Sequence, residues 1–181
     1  LKKAAAEMQK FNFLNACIAQ EREAKGKFIL ADIFSGLPVF ASSINVLNDR
    51  LRGIKKTLID IRRHPEKVDA LIDVIEKQPG MPVNPHCFDG KPFKLGFTIY
   101  HIECFLSPKQ FEKYYWEPFK KYSTPYIEDG VKFFLKGEGN FMHTLPYFND
   151  LPNGSMVIML DLDDPFEVYK VMGEHHTLVA G

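Results

Sequence analysis

The sequence predicts an α/β fold in which parallel strands alternate with helices. Three observations carry this: the second half repeats strand-then-helix units, the strands are short apolar runs, and several helices open on recognisable caps. A strand at 96–104 feeds a helix at 108–128, and a strand at 131–137 feeds a short helix after Asn140. A strand at 155–161 then feeds a helix at 165–173, and another strand begins at His176. Such alternation implies parallel pairing through right-handed crossovers.

From the N-terminus, residues 2–24 read as a helix with Met8, Phe11, Leu14 and Ile18 on one face and nothing to cap its start. Lys27 to Phe34, KFILADIF, reads as a buried strand running into a loop at Ser35 and Gly36. Helical periodicity resumes from about Phe40 to Arg63. Pro65 ends that element and starts another, with Val68, Leu71, Ile72 and Ile75 as its apolar stripe and Pro79-Gly80 as its stop. A Pro/Gly-rich loop follows to about residue 94.

The segment Gly96 to Tyr122 is the most informative. Alternation places Phe97, Ile99, His101 and Glu103 on one strand face, so that face turns from apolar to ionisable at its C-terminal end. Ser107, Pro108 and Gln110 then make a cap, a first helical position and a capping-box partner. Phe111, Tyr115, Phe119 and Tyr122 recur at helical spacing and are expected to pack on the sheet. Tyr114, Tyr115 and Trp116 suggest a ligand box less than they suggest core and rim packing. The last strand, TLVAG, has no helix after it, which leads to the expectation that both ends of the chain lie inside a larger fold.

Composition bounds the function classes. The chain has 181 residues, 45% of them apolar, enough to bury a core as a single domain. Lys plus Arg and Asp plus Glu are 23 each, so no net field draws the protein to nucleic acid or to an anionic membrane. No apolar run approaches the length of a membrane span, and a cytoplasmic location is expected. Cys17, Cys87 and Cys104 have no C-x-x-C spacing, which argues against a disulfide framework and a cysteine-rich zinc module.

Reactive groups in parallel α/β folds sit where strands end, and four strand ends offer them. His101 and Glu103 stand at one, Lys136 and Glu138 at the next, Asp161 with Asp163 and Asp164 at the third, and Asp32 or Ser35 at the early strand. Together they would supply carboxylates, an imidazole and an ammonium for proton transfer. His101, Glu103, Glu138 and Asp161 are the catalytic candidates, with Lys136, Asp32 and Ser35 as substrate-binding ones.

Each has a structural alternative. Asp164-Pro165-Phe166-Glu167 is an ordinary helix start, Asp161 could serve a salt bridge, Lys136 could pair with Glu138, and His101 could be a bonded core histidine. His101 and Glu103 also suit a metal, with His86-Cys87 as a weak third ligand. His143 is a minor candidate, and His175-His176 is expected to face solvent. No GxGxxG after a strand, Walker loop, GxSxG elbow or HExxH is present, which lowers nucleotide-dependent and serine-hydrolase readings.

Four segments in series carry a resemblance: the LSPKQFEKYYWEPFKKY helix, LRG…DIRRHPEKVDALID from Leu51 to Asp73, the GEGN turn from Gly137 to Asn140, and the apolar strand closing on Asp161. In that order they resemble the uroporphyrinogen decarboxylase superfamily. The resemblance implies a (β/α) barrel of the TIM-barrel type, present in part over residues 1–181. It also implies one of two activities: cofactor-free decarboxylation of a tetrapyrrole, or methyl transfer involving corrinoids and a metal ion.

The family's Arg-rich N-terminal segment has no counterpart here, and Glu103 stands where the family usually has Asp. The His-x-Cys of its zinc methyltransferases reads Lys136-Gly137-Glu138, which lacks the sulfur and imidazole ligands. The first expectation is therefore a decarboxylase-like domain acting on a tetrapyrrole or corrinoid-linked substrate. The second is a corrinoid-dependent methyltransferase with an altered metal site and a corrinoid protein as partner. The third is a binding module without catalysis. A homodimer is compatible with each.

Overall fold

The computed structural model describes residues 39–78, 81 and 95–180. Within the first 38 residues it describes Glu7, Lys10, Phe11, Phe13, Leu14, Cys17, Ile18, Gln20, Glu21 and Lys25. The chain divides into two compact units, Leu1–Leu37 and Pro38–Gly181. In the first, the described residues from 7 to 21 are helical, as their periodicity predicts. The predicted strand at 27–34, with Asp32 and Ser35, lies outside the described residues, as does the loop carrying His86 and Cys87.

Among the described residues the second unit holds a five-stranded sheet, all parallel and in sequential order: β1 (Val39–Phe40), β2 (Leu95–Tyr100), β3 (Lys132–Gly137), β4 (Met156–Met159) and β5 (Thr177–Val179). Sequential order with crossovers of one hand stacks the connecting helices on one face of the sheet. Burial follows that geometry. Thr98 and Tyr100, Phe133 and Leu135, and Met156 and Ile158 are buried, whereas Phe97, Ile99, Phe134 and Val157 on the opposite face are half-buried.

The helices follow local signals with one correction. The single helix expected from Phe40 to Arg63 is two. The first, α1 (Ser43–Val46), is capped by the Ser42 hydroxyl and continues into a π-helical turn, Leu47–Arg52, before α2 (Ile54–Arg63) begins. Gly53 makes the break: its φ of 75° is a left-handed conformation that favours glycine, and its N–H closes the π turn onto the Asn48 carbonyl. Helix α3 (Pro65–Glu76) starts on Pro65 as expected. Helix α4 (Pro108–Phe111) carries the complete Ser107/Gln110 capping box and runs through a π segment, Glu112–Trp116, into α5 (Glu117–Glu128). Helix α6 (Pro165–Met172) starts on Asp164.

The aromatic residues of α4 and α5 supply the core. Tyr100 meets Phe111, Tyr115, Phe141 and Phe148 edge-on, with centroids 4.9–6.0 Å apart, and Phe119 packs on Phe133 at 5.6 Å. Aromatic pairs at such separations contribute beyond their buried area. The two fully buried tyrosine hydroxyls find partners: Tyr115 with Thr98 at 3.1 Å, and Tyr100 donating to Thr144 at 2.6 Å. The Tyr114–Trp116 trio is therefore core, not a ligand box.

Packing is tightest at the end of β3. A Cβ on Gly137 would lie 1.9 Å from the Phe141 ring and 2.8 Å from the Met159 carbonyl oxygen, so neither can yield without moving the next strand. Gly137→Ala is expected to destabilise the protein by at least about 2 kcal/mol in urea unfolding, with Gly154→Ala as a strained but uncrowded comparison.

Candidate functional site

The C-terminal ends of β1, β2 and β3 lie side by side, and the loops that leave them gather the ionisable groups. The strand expected at 96–104 ends at Tyr100, and Ile102–Phe105 form a 3₁₀ turn. His101 and Glu103 therefore do not share a strand face. His101 is half-buried at the rim, and Glu103 turns into the core with no exposed surface.

Two groups make that turn. The Glu103 carboxylate accepts the His101 backbone N–H at 2.9 Å and the Asn45 side-chain amide at 2.8 Å. The same Asn45 amide donates to the Ile99 carbonyl at 3.2 Å, satisfying a strand-end acceptor, and Cys104 Sγ donates to the His101 carbonyl at 2.9 Å. Burial pushes the Glu103 carboxyl up to about 8, against the opposing pull of its hydrogen bonds. It is thus a protonated acid over most of the neutral range.

The turn holds His101 between two acids. Its Nε2 lies 2.8 Å from Asp49 Oδ1, and its Nδ1 lies 3.8 Å from Glu138 Oε2. Asn48 steadies the Asp49 side, with its amide 2.6 Å from Asp49 Oδ1. On the other side Lys136 donates to Glu138 at 2.6 Å, and this hydrogen bond, with lesser help from Coulombic attraction, holds the Glu138 carboxyl below the usual carboxylate range. The result is a continuous row, Asp49–His101–Glu138–Lys136, of alternating acidic and basic groups across two strand ends. A histidine so placed can take a proton from one carboxylate's side and release it on the other.

Other candidates have structural work. Asp161 accepts the Gly139 N–H at 2.8 Å, pinning the loop after β3. Gly139, at φ 120°, would bring a Cβ to 3.1 Å from Cys104 Sγ, so the loop approaches the 3₁₀ turn closely only with glycine there. Asp163 is buried and accepts the Phe141 and Met142 N–H groups at about 3.0 Å. Asp164 accepts from Phe166 and Glu167 N–H, an ordinary N-cap. His143 bonds the Leu106 carbonyl.

His176 is buried, not solvent-facing: it bonds the Phe148 carbonyl at 2.8 Å, and burial lowers its pKa. Among the described residues no three His, Cys, Asp or Glu side chains are placed to hold one metal ion. Among the described residues no helix is long and apolar enough to cross a membrane.

Sequence reasoning missed Asn45, Asn48 and Asp49. Their spacing of three and four residues puts them on one helix face, and the signal was a polar stripe running beside the apolar Ile44 and Leu47. Comparison with family models, with curated proteins and with solved structures finds no match to this chain. The site therefore stands on its own geometry.

The Glu103 shift has a definite sign. Between pH 4.5 and 8 the folded protein keeps a proton that the unfolded chain releases, so stability is fully present below 4.5 and falls as pH rises toward 8. The fall attributable to Glu103 is roughly 4–5 kcal/mol. Glu103→Gln, which cannot ionise, should flatten that limb in denaturant unfolding measured at pH 5, 6.5 and 8.5.

Proposed function

We propose that this chain forms part of a (β/α) barrel enzyme of the uroporphyrinogen decarboxylase superfamily, working by proton transfer on a tetrapyrrole or corrinoid-linked substrate. What supports the reading is the row Asp49–His101–Glu138–Lys136 at the C-terminal ends of sequential parallel strands, where barrel enzymes place their chemistry. In it, His101 is the group that moves a proton. Glu138 faces Nδ1 and stabilises the imidazolium as it forms, and Asp49 orients the ring through Nε2. Asp161 keeps one carboxylate oxygen for a pyrrole N–H while the other holds Gly139. Glu103 acts through the backbone of His101 as a positioning residue.

One observation favours a second reading. Lys136, the cation among the described strand-end candidates, is already neutralised by Glu138, which leaves a mouth better suited to a less anionic substrate than a polycarboxylate. Corrinoid-dependent methyl transfer from a methylated amine or methoxylated compound meets that condition. A corrinoid would supply the methyl-carrying chemistry in that case.

The assay is turnover of uroporphyrinogen, followed as stepwise carboxyl loss, beside methyl transfer to a corrinoid protein. The decarboxylase reading expects carboxyl loss, with kcat reduced on the order of 100-fold in His101→Asn. No carboxyl loss removes it, and methyl transfer in its place establishes the second reading.

A further inference from the structure

The two ends of the helix layer carry opposite charge. Among the described residues β1 and β5 are the sheet's edges, so the helices joining β1 to β2 stand at one end and α6, joining β4 to β5, at the other. From Arg50 to Arg63 six cations, Arg50, Arg52, Lys55, Lys56, Arg62 and Arg63, accompany one acid, Asp60. Arg52 pairs with Asp60 at 2.7 Å, and the other five cations are exposed with no ion-pair partner among the described residues. From Asp161 to Glu174 the balance reverses. Asp161, Asp164, Glu167 and Glu174 are exposed, and the single cation there, Lys170, is paired with Glu167 at 2.6 Å. The chain's zero net charge thus combines a basic end with an acidic one.

Each end also exposes large apolar side chains. On α6, Phe166 and Tyr169 stand three residues apart and so share a helix face, 78% and 52% exposed. Leu162, in the loop ahead of them, is 72% exposed. They are not needed for the core, because Val168 and Met172 already supply the buried face of α6. At the basic end Leu51, Ile54 and Ile59 are exposed. Ile59 lies one helical turn after Lys55 and one before Arg62, so cations and apolar surface share the outer face of α2. Single exposed apolar residues are ordinary, but groups of them rimmed by charge mark contact surfaces.

We infer that each of these faces is covered by the other on a second copy of this chain. The outer face of α2, with Leu51, Ile54 and Ile59 among its cations, docks on the outer face of α6, with Leu162, Phe166 and Tyr169 among its acids. Charge complementarity selects this occupant. A nucleic acid or an anionic lipid surface suits the basic end alone; the acidic end repels it, and Phe166 and Tyr169 stay in water. A second copy covers both ends, and with zero net charge it meets no overall repulsion. Burial of the apolar side chains supplies attraction without direction, and the charges decide which face meets which. Contact between unlike faces runs head to tail and repeats until the rotation closes a ring.

The test is sedimentation of the full chain over a range of concentrations, in about 0.01 M and about 1 M salt, where charges are screened beyond roughly 30 Å and 3 Å. Association that strengthens with concentration is expected, at least about tenfold weaker in the higher salt. Two charge reversals separate this contact from non-specific association: Lys55→Glu with Arg62→Glu makes both ends acidic, and Glu167→Lys with Glu174→Lys makes both basic. Each variant alone should be monomeric, with the circular dichroism spectrum of the unaltered protein, and an equal mixture of the two should associate again. Lys109→Glu with Lys132→Glu, an equal change of net charge at exposed positions elsewhere, should leave association in place. Phe166→Ser should weaken it at least about tenfold.

A monomer at every concentration in low salt would overturn the proposal. So would association that survives both reversals, a mixture that stays monomeric, or a Lys109/Lys132 variant that dissociates as fully as the others. None of these variants alters Asp161 or the Asp49–His101–Glu138–Lys136 row, so the outcome is independent of which chemistry the site performs.

Discussion

The arrangement at the top of the sheet depends on one buried carboxyl group. Glu103 has no exposed surface and lies two residues past the rim residue whose backbone it binds. An ionised carboxylate so placed would cost far more than two hydrogen bonds return, so the site accommodates it as the acid. Its bonds to His101 N–H and to Asn45 convert the end of β2 from strand to turn, and the turn is what swings His101 out to the rim. Asn45 links the same carboxyl to the helix after β1. The helix, the strand end and the histidine are thus positioned by a single polar knot inside an apolar setting.

Around that knot the sheet has two unlike faces. The helix-covered face is a lattice of aromatic rings from α4, α5 and the loop after β3, fixed by near-perpendicular contacts that leave little room for adjustment. The opposite face carries Phe97, Ile99, Phe134 and Val157, half-buried, and leads up to the ionic row. Sequential parallel strands produce this asymmetry, because each connection returns on the same face of the sheet.

Helix starts were legible because their signals are local. Ser107-Pro108 with Gln110, Asp164-Pro165, and Pro65 each specify a backbone conformation through atoms no more than three residues away. The strand end was not legible, since alternation of apolar and polar residues continues unbroken through His101 and Glu103. What stops the strand is Asn45, 58 residues from Glu103, and no periodicity reports a partner that distant. The break at Gly53 was equally hidden: a glycine inside a helical pattern is often tolerated, and only its φ of 75° shows that this one is a joint. His101, Glu138 and Lys136 were found because strand ends are where parallel folds keep reactive groups. Asn45, Asn48 and Asp49 were missed because they sit on the helix behind.

The central claim is that Glu103 is a buried acid, not a carboxylate, and that it builds the turn presenting His101. The direct measurement is the pH titration of the Glu103 side-chain carboxyl carbon by NMR on selectively labelled protein. A midpoint near 8 is the predicted result. A midpoint between about 4 and 5, the ordinary range of an exposed glutamate, would contradict the account.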